Sequence, residues 1–172
     1  MNESFVRALR TMYSLFSVED KVVIITGAGQ GMGAAAAELF AEAGAKVVVA
    51  DFNEKTGQAE VEKIRADHGD ASFFKVDVSN EEQVKAMVDF IVEKYGRLDV
   101  AINNAARTPD DKPVAEMNID EFDAVLRVDL RGVALCMKYE ILQMMKQNEG
   151  GSVINTSSVS GIRPQPLTPA YV

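Results

Sequence analysis

Val22-Val23-Ile24-Ile25-Thr26-Gly27-Ala28-Gly29-Gln30-Gly31-Met32-Gly33 reads as an apolar strand that runs into a glycine-rich turn and then into an alanine-rich helix. The glycines let the backbone turn tightly and approach a ligand. A helix beginning near Gly31 aims unpaired N–H groups and the positive end of its dipole at an anion. A dinucleotide pyrophosphate fits such a cradle. No Lys-Ser or Lys-Thr pair follows the glycines, which argues against a P-loop hydrolase, whose lysine reaches the outer phosphates. Lys46-Val47-Val48-Val49-Ala50-Asp51 reads as a second buried strand closing on a carboxylate, 18 residues past Gly33. A dinucleotide fold places there the acid that accepts both ribose hydroxyls. Alone, Asp51 reads equally well as a solvated residue at a strand end; the turn in front of it favours ribose binding.

Length and composition agree with one globular domain: 172 residues can bury a core, and 47% hydrophobic with 26% charged residues is ordinary. The net charge of -8 disfavours nucleic acid or an anionic membrane as a partner. The single cysteine, Cys136, sits in a helical pattern and has no partner for an internal disulfide, which points to a reducing, cytoplasmic compartment. His68, the one histidine, follows a charged helix beside Gly69; this excludes a multi-histidine metal site and weakens a serine-histidine hydrolase reading. No metal is expected. No apolar run approaches the ~20 residues of a membrane-spanning helix, and residues 1–19 lack the pattern of a secretory signal. Residues 1–20 read as an N-terminal extension. Phe5, Leu9, Met12 and Phe16 recur there at helical spacing, giving either an amphipathic segment that docks on the domain or a partner, or a stretch preceding a start at Met12.

From residue 21 onward, strand and helix alternate without repeats. Helices are expected over 32–43 and 55–67, a third strand over 72–76, and a helix to Tyr95 opened by a capping-box pattern at Ser79-Asn80-Glu81-Glu82 and followed by Gly96. A fourth strand is expected over 98–102. A polar segment with Pro109 and Pro113 precedes a long helical pattern over 119–146, and the fifth strand falls at 152–155. Helices of this length between strands imply right-handed crossovers and a Rossmann-type doubly wound parallel sheet, strand order 3-2-1-4-5, with helices on both faces.

Ligands in such a sheet sit beyond the carboxyl ends of the strands. The residues there are Thr26-Gly27 with Gly31 and Gly33, then Asp51, Asp77-Val78, Asn103-Asn104-Ala105-Ala106, and Ser157-Ser158 with Tyr171 13 residues past Ser158. Together they resemble the short-chain dehydrogenase/reductase family, from about Lys21 to the end of the chain. The resemblance implies an NAD-dependent oxidoreductase moving hydride between nicotinamide and a small alcohol or carbonyl substrate, in a homo-oligomer. It implies that Gly27, Gln30, Gly31, Met32 and Gly33 surround the pyrophosphate and neighbouring ribose. Asp51 would hold the adenosine ribose, Asp77 and Val78 border the adenine, and Asn104 and Ala105 lie along the cofactor. Ser158 would hydrogen-bond the substrate oxygen and Tyr171 exchange a proton with it.

Three departures from the family pattern stand out. Ala106 replaces a glycine. Asp129, in Val128-Asp129-Leu130-Arg131-Gly132, takes the place of an asparagine of the proton relay; its carboxylate would oppose phenolate formation at the tyrosine. The family's lysine comes four residues after the tyrosine, whereas this sequence ends at Val172. The expectation is therefore a fragment, an interrupted reading frame or a trimmed chain, lacking the later strands, that binds dinucleotide with little or no turnover. The alternative is a catalytically inactive dinucleotide-binding or assembly module. A methyltransferase would also use a glycine turn and a strand-end acid, but gives Ser158, Tyr171 and the Asn103-Asn104-Ala105 segment no role.

Overall fold

The computed structural model describes residues 17–107 and 111–171. The amphipathic positions Phe5, Leu9, Met12 and Phe16, and Pro109, lie outside them. Five parallel strands, β1 (Val22–Thr26), β2 (Lys46–Asp51), β3 (Asp70–Lys75), β4 (Val100–Asn103) and β5 (Ser152–Asn155), form one sheet in the order β3-β2-β1-β4-β5. This is the expected doubly wound order. The connections carry α1 (Gly31–Glu42), α2 (Glu54–Ala66), α3 (Glu81–Tyr95), α4 (Ile119–Leu126) and α5 (Val133–Lys146).

Strand periodicity assigns the two faces. Val22 and Ile24 point into a core with Val84, Met87 and Ile91 of α3 and Leu135, Cys136 and Met144 of α5. Val23 and Ile25 point the other way, against Ala37 and Ala41 of α1 and Val61 and Ile64 of α2. A strand covered on both faces needs no polar alternation, and all five residues of β1 are buried. The end of the sheet opposite the candidate site is pinned by Asp99, whose Oδ2 accepts hydrogen bonds from Val22 N–H and Arg97 Nε, each at 2.9 Å. Burial pushes the Asp99 carboxyl up, but the Arg97 and Val22 hydrogen bonds, with Lys21 3.7 Å away, outweigh it and leave it below its ordinary value.

Besides single-residue shifts at the bounds of α1, α2, β3 and β4, the structure departs from the sequence reading in four places. Strand β3 starts at Asp70, two residues before the expected 72, because Lys46 and Val47 of β2 pair with Asp70 and Ala71. Strand β4 begins at Val100 rather than 98; before it, the Leu98 N–H donates to Gln147 Oε1 at 3.1 Å and the Asp99 carboxylate accepts from Val22 N–H. Helix α3 is capped by Asn80, which accepts from Gln83 N–H, while Ser79 donates its hydroxyl to Asp77 Oδ1 at 2.7 Å. The long helical pattern is interrupted by a π-helical segment, Arg127–Gly132, between α4 and α5. There Gly132 passes so close to β3's following loop that a Cβ would stand 2.9 Å from Val78 Cγ2. The sheet edges are β3 and β5; Val153 packs partly on the core and Ile154 is 49% exposed.

Candidate functional site

The glycine turn is closed by contacts that only hydrogen permits. Gly27 (φ +66°) and Gly31 (φ +60°) adopt the left-handed conformation. A Cβ at Gly27 would lie 2.7 Å from Ala105 Cα, and one at Gly33 would strike the Gly27 carbonyl and stand 2.7 Å from Asn104 Nδ2. At Gly31, by contrast, a Cβ would meet nothing within 4 Å, so this glycine opens to free space. Helix α1 starts there with no side-chain cap from Gln30 and no acidic residue in its first turn. A helix start of this kind attracts an anion through its free N–H groups and dipole.

Asp51 closes the next wall. Its Oδ2 accepts from Gly29 N–H at 2.8 Å and its Oδ1 from Asn53 N–H at 2.8 Å, so each oxygen keeps lone-pair capacity for a further donor. Thr26 ties the loop after β4 to the turn: its Oγ1 accepts from the N–H groups of Asn104 and Ala105, each at 3.1 Å. Asn104 Nδ2 returns hydrogen bonds to the carbonyls of Thr26 (3.2 Å) and Gly27 (3.3 Å).

These elements bound a cleft of about 750 Å³ over the carboxyl ends of the strands. Gly27, Gln30, Gly31 and Met32 line one wall, Asp51, Asp77 and Val78 the strand ends, and Asn104 and Ala105 the far loop. Gly33 lies buried beneath the turn rather than on the cleft surface. Ala106, which the sequence places among the strand-end residues, is also on the lining, and so are Phe52, Val76, Ser79, Arg107 and the set Ala124, Arg127 and Val128, which were missed in the sequence. Phe52 is 70% exposed directly after the strand-end acid. The spacing of 124, 127 and 128 marks one helical face, a signal present in the sequence.

Asp129, Ser158 and Tyr171 do not line this cleft. Asp129 sits in the π-helical segment, where its Oδ1 accepts from Arg107 N–H at 2.8 Å and its Oδ2 is buried without a partner among the described residues. Burial pushes its carboxyl above the ordinary range, offset in part by the Arg107 N–H and guanidinium. The carboxylate thus fastens the loop after β4 to the helix. Ser158, half-buried, accepts from Ser160 N–H at 3.2 Å and caps a short turn, Val159–Gly161. Tyr171, also half-buried, donates its N–H to the Thr168 carbonyl. Among the described residues neither Ser158 nor Tyr171 hydrogen-bonds Asp129 or the other. Just after β5, Thr156 Oγ1 donates to Asn104 Oδ1 of the cleft wall at 3.5 Å.

Among the described residues, no helix is long and apolar enough to cross a membrane. A family pattern described as short chain dehydrogenase matches residues 21–172. The chain is 48% identical over 158 residues to the short chain dehydrogenase/reductase astE of Aspergillus oryzae, covering 91% of this chain and 60% of that protein. It is 41% identical over 152 residues to a 2,5-dichloro-2,5-cyclohexadiene-1,4-diol dehydrogenase of Sphingobium indicum, covering 88% and 60%. The chain therefore spans about 60% of the length of these curated relatives. Among solved structures, a short chain dehydrogenase/reductase from Burkholderia phymatum in complex with NAD aligns with TM-score 0.87 and 34% identity, covering 91% of this chain and 55% of that one. An NAD+-bound xylitol dehydrogenase aligns with TM-score 0.86 and 32% identity, covering 90% and 59%.

Proposed function

We propose, from the premise that this chain belongs to the short chain dehydrogenase family, that its cleft binds NAD(H) and that it serves an oxidoreductase moving hydride between nicotinamide and a small alcohol or carbonyl compound. The observation that carries this reading is the uncapped start of α1 beside open Gly31, facing the same cleft as the strand-end carboxylate of Asp51. The two relatives in complex with NAD support the choice of cofactor.

The residues fit the group. Gly31, Met32 and Gly33 offer first-turn N–H groups to a pyrophosphate, with Gly27 and Gln30 alongside. Asp51 accepts ribose hydroxyls on the lone pairs left by Gly29 and Asn53, and it repels a 2′-phosphate. Asp77 and Val78 border the adenine, and Asn104 and Ala105 follow the cofactor toward the middle of the sheet. The nicotinamide, when bound, supplies or accepts the hydride. In the direction of carbonyl reduction, Ser158 Oγ donates a hydrogen bond to the substrate oxygen and Tyr171 gives it a proton. Asp129 occupies the place of the family's relay asparagine. The dinucleotide-binding unit is residues 21–172, with residues 1–20 as an extension. A cytoplasmic location, from the lone Cys136, and assembly as a homo-oligomer belong to the same proposal.

The test separates binding from turnover. NADH, NADPH and S-adenosylmethionine are titrated against the chain, and NADH oxidation is followed with a panel of ketones and diketones. NADH binding tighter than the other two is expected. Turnover alongside NADH binding would exclude the inactive binding module, and binding of S-adenosylmethionine alone would overturn the oxidoreductase reading.

A further inference from the structure

Behind the cleft, two buried polar side chains meet between the sheet and α5, with the exposed Asn155 beside them. Glu140 is fully buried on α5, and Asn103, 2% exposed, ends β4. Asn103 Nδ2 donates to Glu140 Oε2 and to Asn155 Oδ1 of β5, each at 3.0 Å. Two buried acceptors in this group, Glu140 Oε1 and Asn103 Oδ1, have no donor among the described residues. An ionised Glu140 would leave both orphaned and bury a full charge against one neutral amide. A single proton on Glu140 Oε1 changes both counts at once. The acid becomes a donor, and Asn103 Oδ1 is an acceptor on the same amide that already donates to Oε2. A carboxylic acid and an amide can share two antiparallel hydrogen bonds.

We infer that Glu140 is held as a neutral carboxylic acid, doubly hydrogen-bonded to Asn103, and that this pair positions the cleft-lining loop at residues 104–106. The next residue, Asn104, is the one whose backbone and side chain lace that loop to Thr26 and Gly27, so displacement of Asn103 passes directly into the cleft wall. The charged surroundings agree. On α5, Cys136 lies one turn back, and its own burial, with Glu140 adding to it, pushes its thiol up to about 12, so it is neutral. Helix α3 contributes apolar Val84, Met87 and Ile91 to this core, while its Glu81 is taken by Lys138 Nζ at 2.7 Å and Tyr139 OH at 2.9 Å. In the π-helical segment, Arg131 Nη1 donates to the Ser79 carbonyl and Asp129 accepts from Arg107 N–H. Strands β4 and β5 present Asn103 and Asn155, and β1 presents Val22 and Ile24. Among the described residues no lysine or arginine pairs with Glu140. Burial accordingly pushes its carboxyl up to about 7, against a partial offset from the Asn103 hydrogen bond.

Glu140→Gln is the informative variant, because its amide offers Asn103 the same donor and acceptor as the protonated acid but cannot ionise. The first measurement needs no ligand: carbon-13 NMR of the glutamate-labelled 172-residue chain. One carboxyl titrating near pH 7, absent from Glu140→Gln, is expected; a Glu140 signal titrating near 4.5 overturns the inference. Glu140→Met supplies the assignment if the glutamine variant does not fold. The second is urea unfolding across pH. The folded-state value lies above the unfolded one, so the stability from this group is full below about pH 4.5 and is lost as pH rises through about 7. The unfolding constant of the native chain should rise by up to about tenfold per pH unit over that window, relative to Glu140→Gln; parallel curves overturn the neutral-acid reading. The third arm rests on the proposed NAD(H) cleft. NADH affinity should weaken between pH 6 and 8.5 more in the native chain than in Glu140→Gln, and equal ratios overturn the positioning of the loop. If neither protein binds NADH, the proposed cofactor fails, while the NMR and unfolding arms still decide the state of Glu140.

Discussion

The centre of the sheet at β1 and its edge at β5 are both built on short apolar runs and are held in very different ways. Every residue of β1 is buried, and the loops around it are cross-linked by Thr26, Asn104 and Asp51 over sequence separations of 22 to 79 residues. At β5, Ser152, Ile154 and Asn155 are exposed, and among the described residues Ser158 hydrogen-bonds only within its own turn. The contrast teaches that the cleft is a self-supporting unit of this chain, whereas the serine and tyrosine carried over from the family are fastened locally.

The sharpest way to break this contrast is Gly33→Val. Its Cβ would run into the Gly27 carbonyl and stand 2.9 Å from Ala28 Cα, both backbone atoms that cannot swing aside. We expect no measurable NADH binding and a loss of about 3 kcal/mol in urea unfolding, the upper range for overpacking. A folded variant with native NADH affinity would show that the turn is not the cradle. Next comes Asp51→Ala, expected to weaken NADH binding by roughly 1.5–3 kcal/mol, about 10- to 150-fold, as read by fluorescence titration. The native chain should prefer NADH over NADPH, and equal affinities would remove ribose recognition from Asp51.

Smaller effects follow at the seam between the regions. Because burial holds the Asp129 carboxyl above its ordinary value, its contribution to stability is present at low pH and is lost as pH rises through the folded-state value. Asp129→Asn keeps an oxygen for Arg107 N–H and should flatten that part of the pH profile; a profile identical to the native chain would mean that Asp129 does not titrate there. The smallest effect on binding is expected from Ser158→Ala and Tyr171→Phe, which lie off the cleft lining. NADH affinity should stay within about twofold while any turnover falls. A tenfold loss of affinity in either would join the two regions after all.

How much was legible in the sequence follows the same division. The strand ends and the glycine turn announce themselves through unbroken apolar runs and local spacing, and nine of the ten residues expected to bind cofactor line one cleft. The π-helical segment was not legible, because one extra residue per turn barely alters the apolar period of 119–146. The Asn103 to Glu140 hydrogen bond spans 37 residues, and nothing local marks an asparagine and a glutamate as partners. Phe52 and Arg127 enter the cleft through side-chain direction, which residue type alone does not give.

Asp51 also bears on any attempt to retune the cofactor. Its carboxylate is a splice between three segments, holding the Gly29 amide of the turn and the Asn53 amide that leads into α2. Exchanging the acid for a neutral or basic residue to admit a 2′-phosphate would therefore remove recognition and scaffold in one stroke. A successful redesign needs two parts: a cation introduced at an exposed neighbour such as Phe52, and a short acceptor, serine or asparagine, left at position 51 to keep the turn closed. In the proposed NAD(H) cleft, selectivity and architecture would be coupled at this residue, so changes made there one at a time should lose affinity for both dinucleotides before they gain it for either.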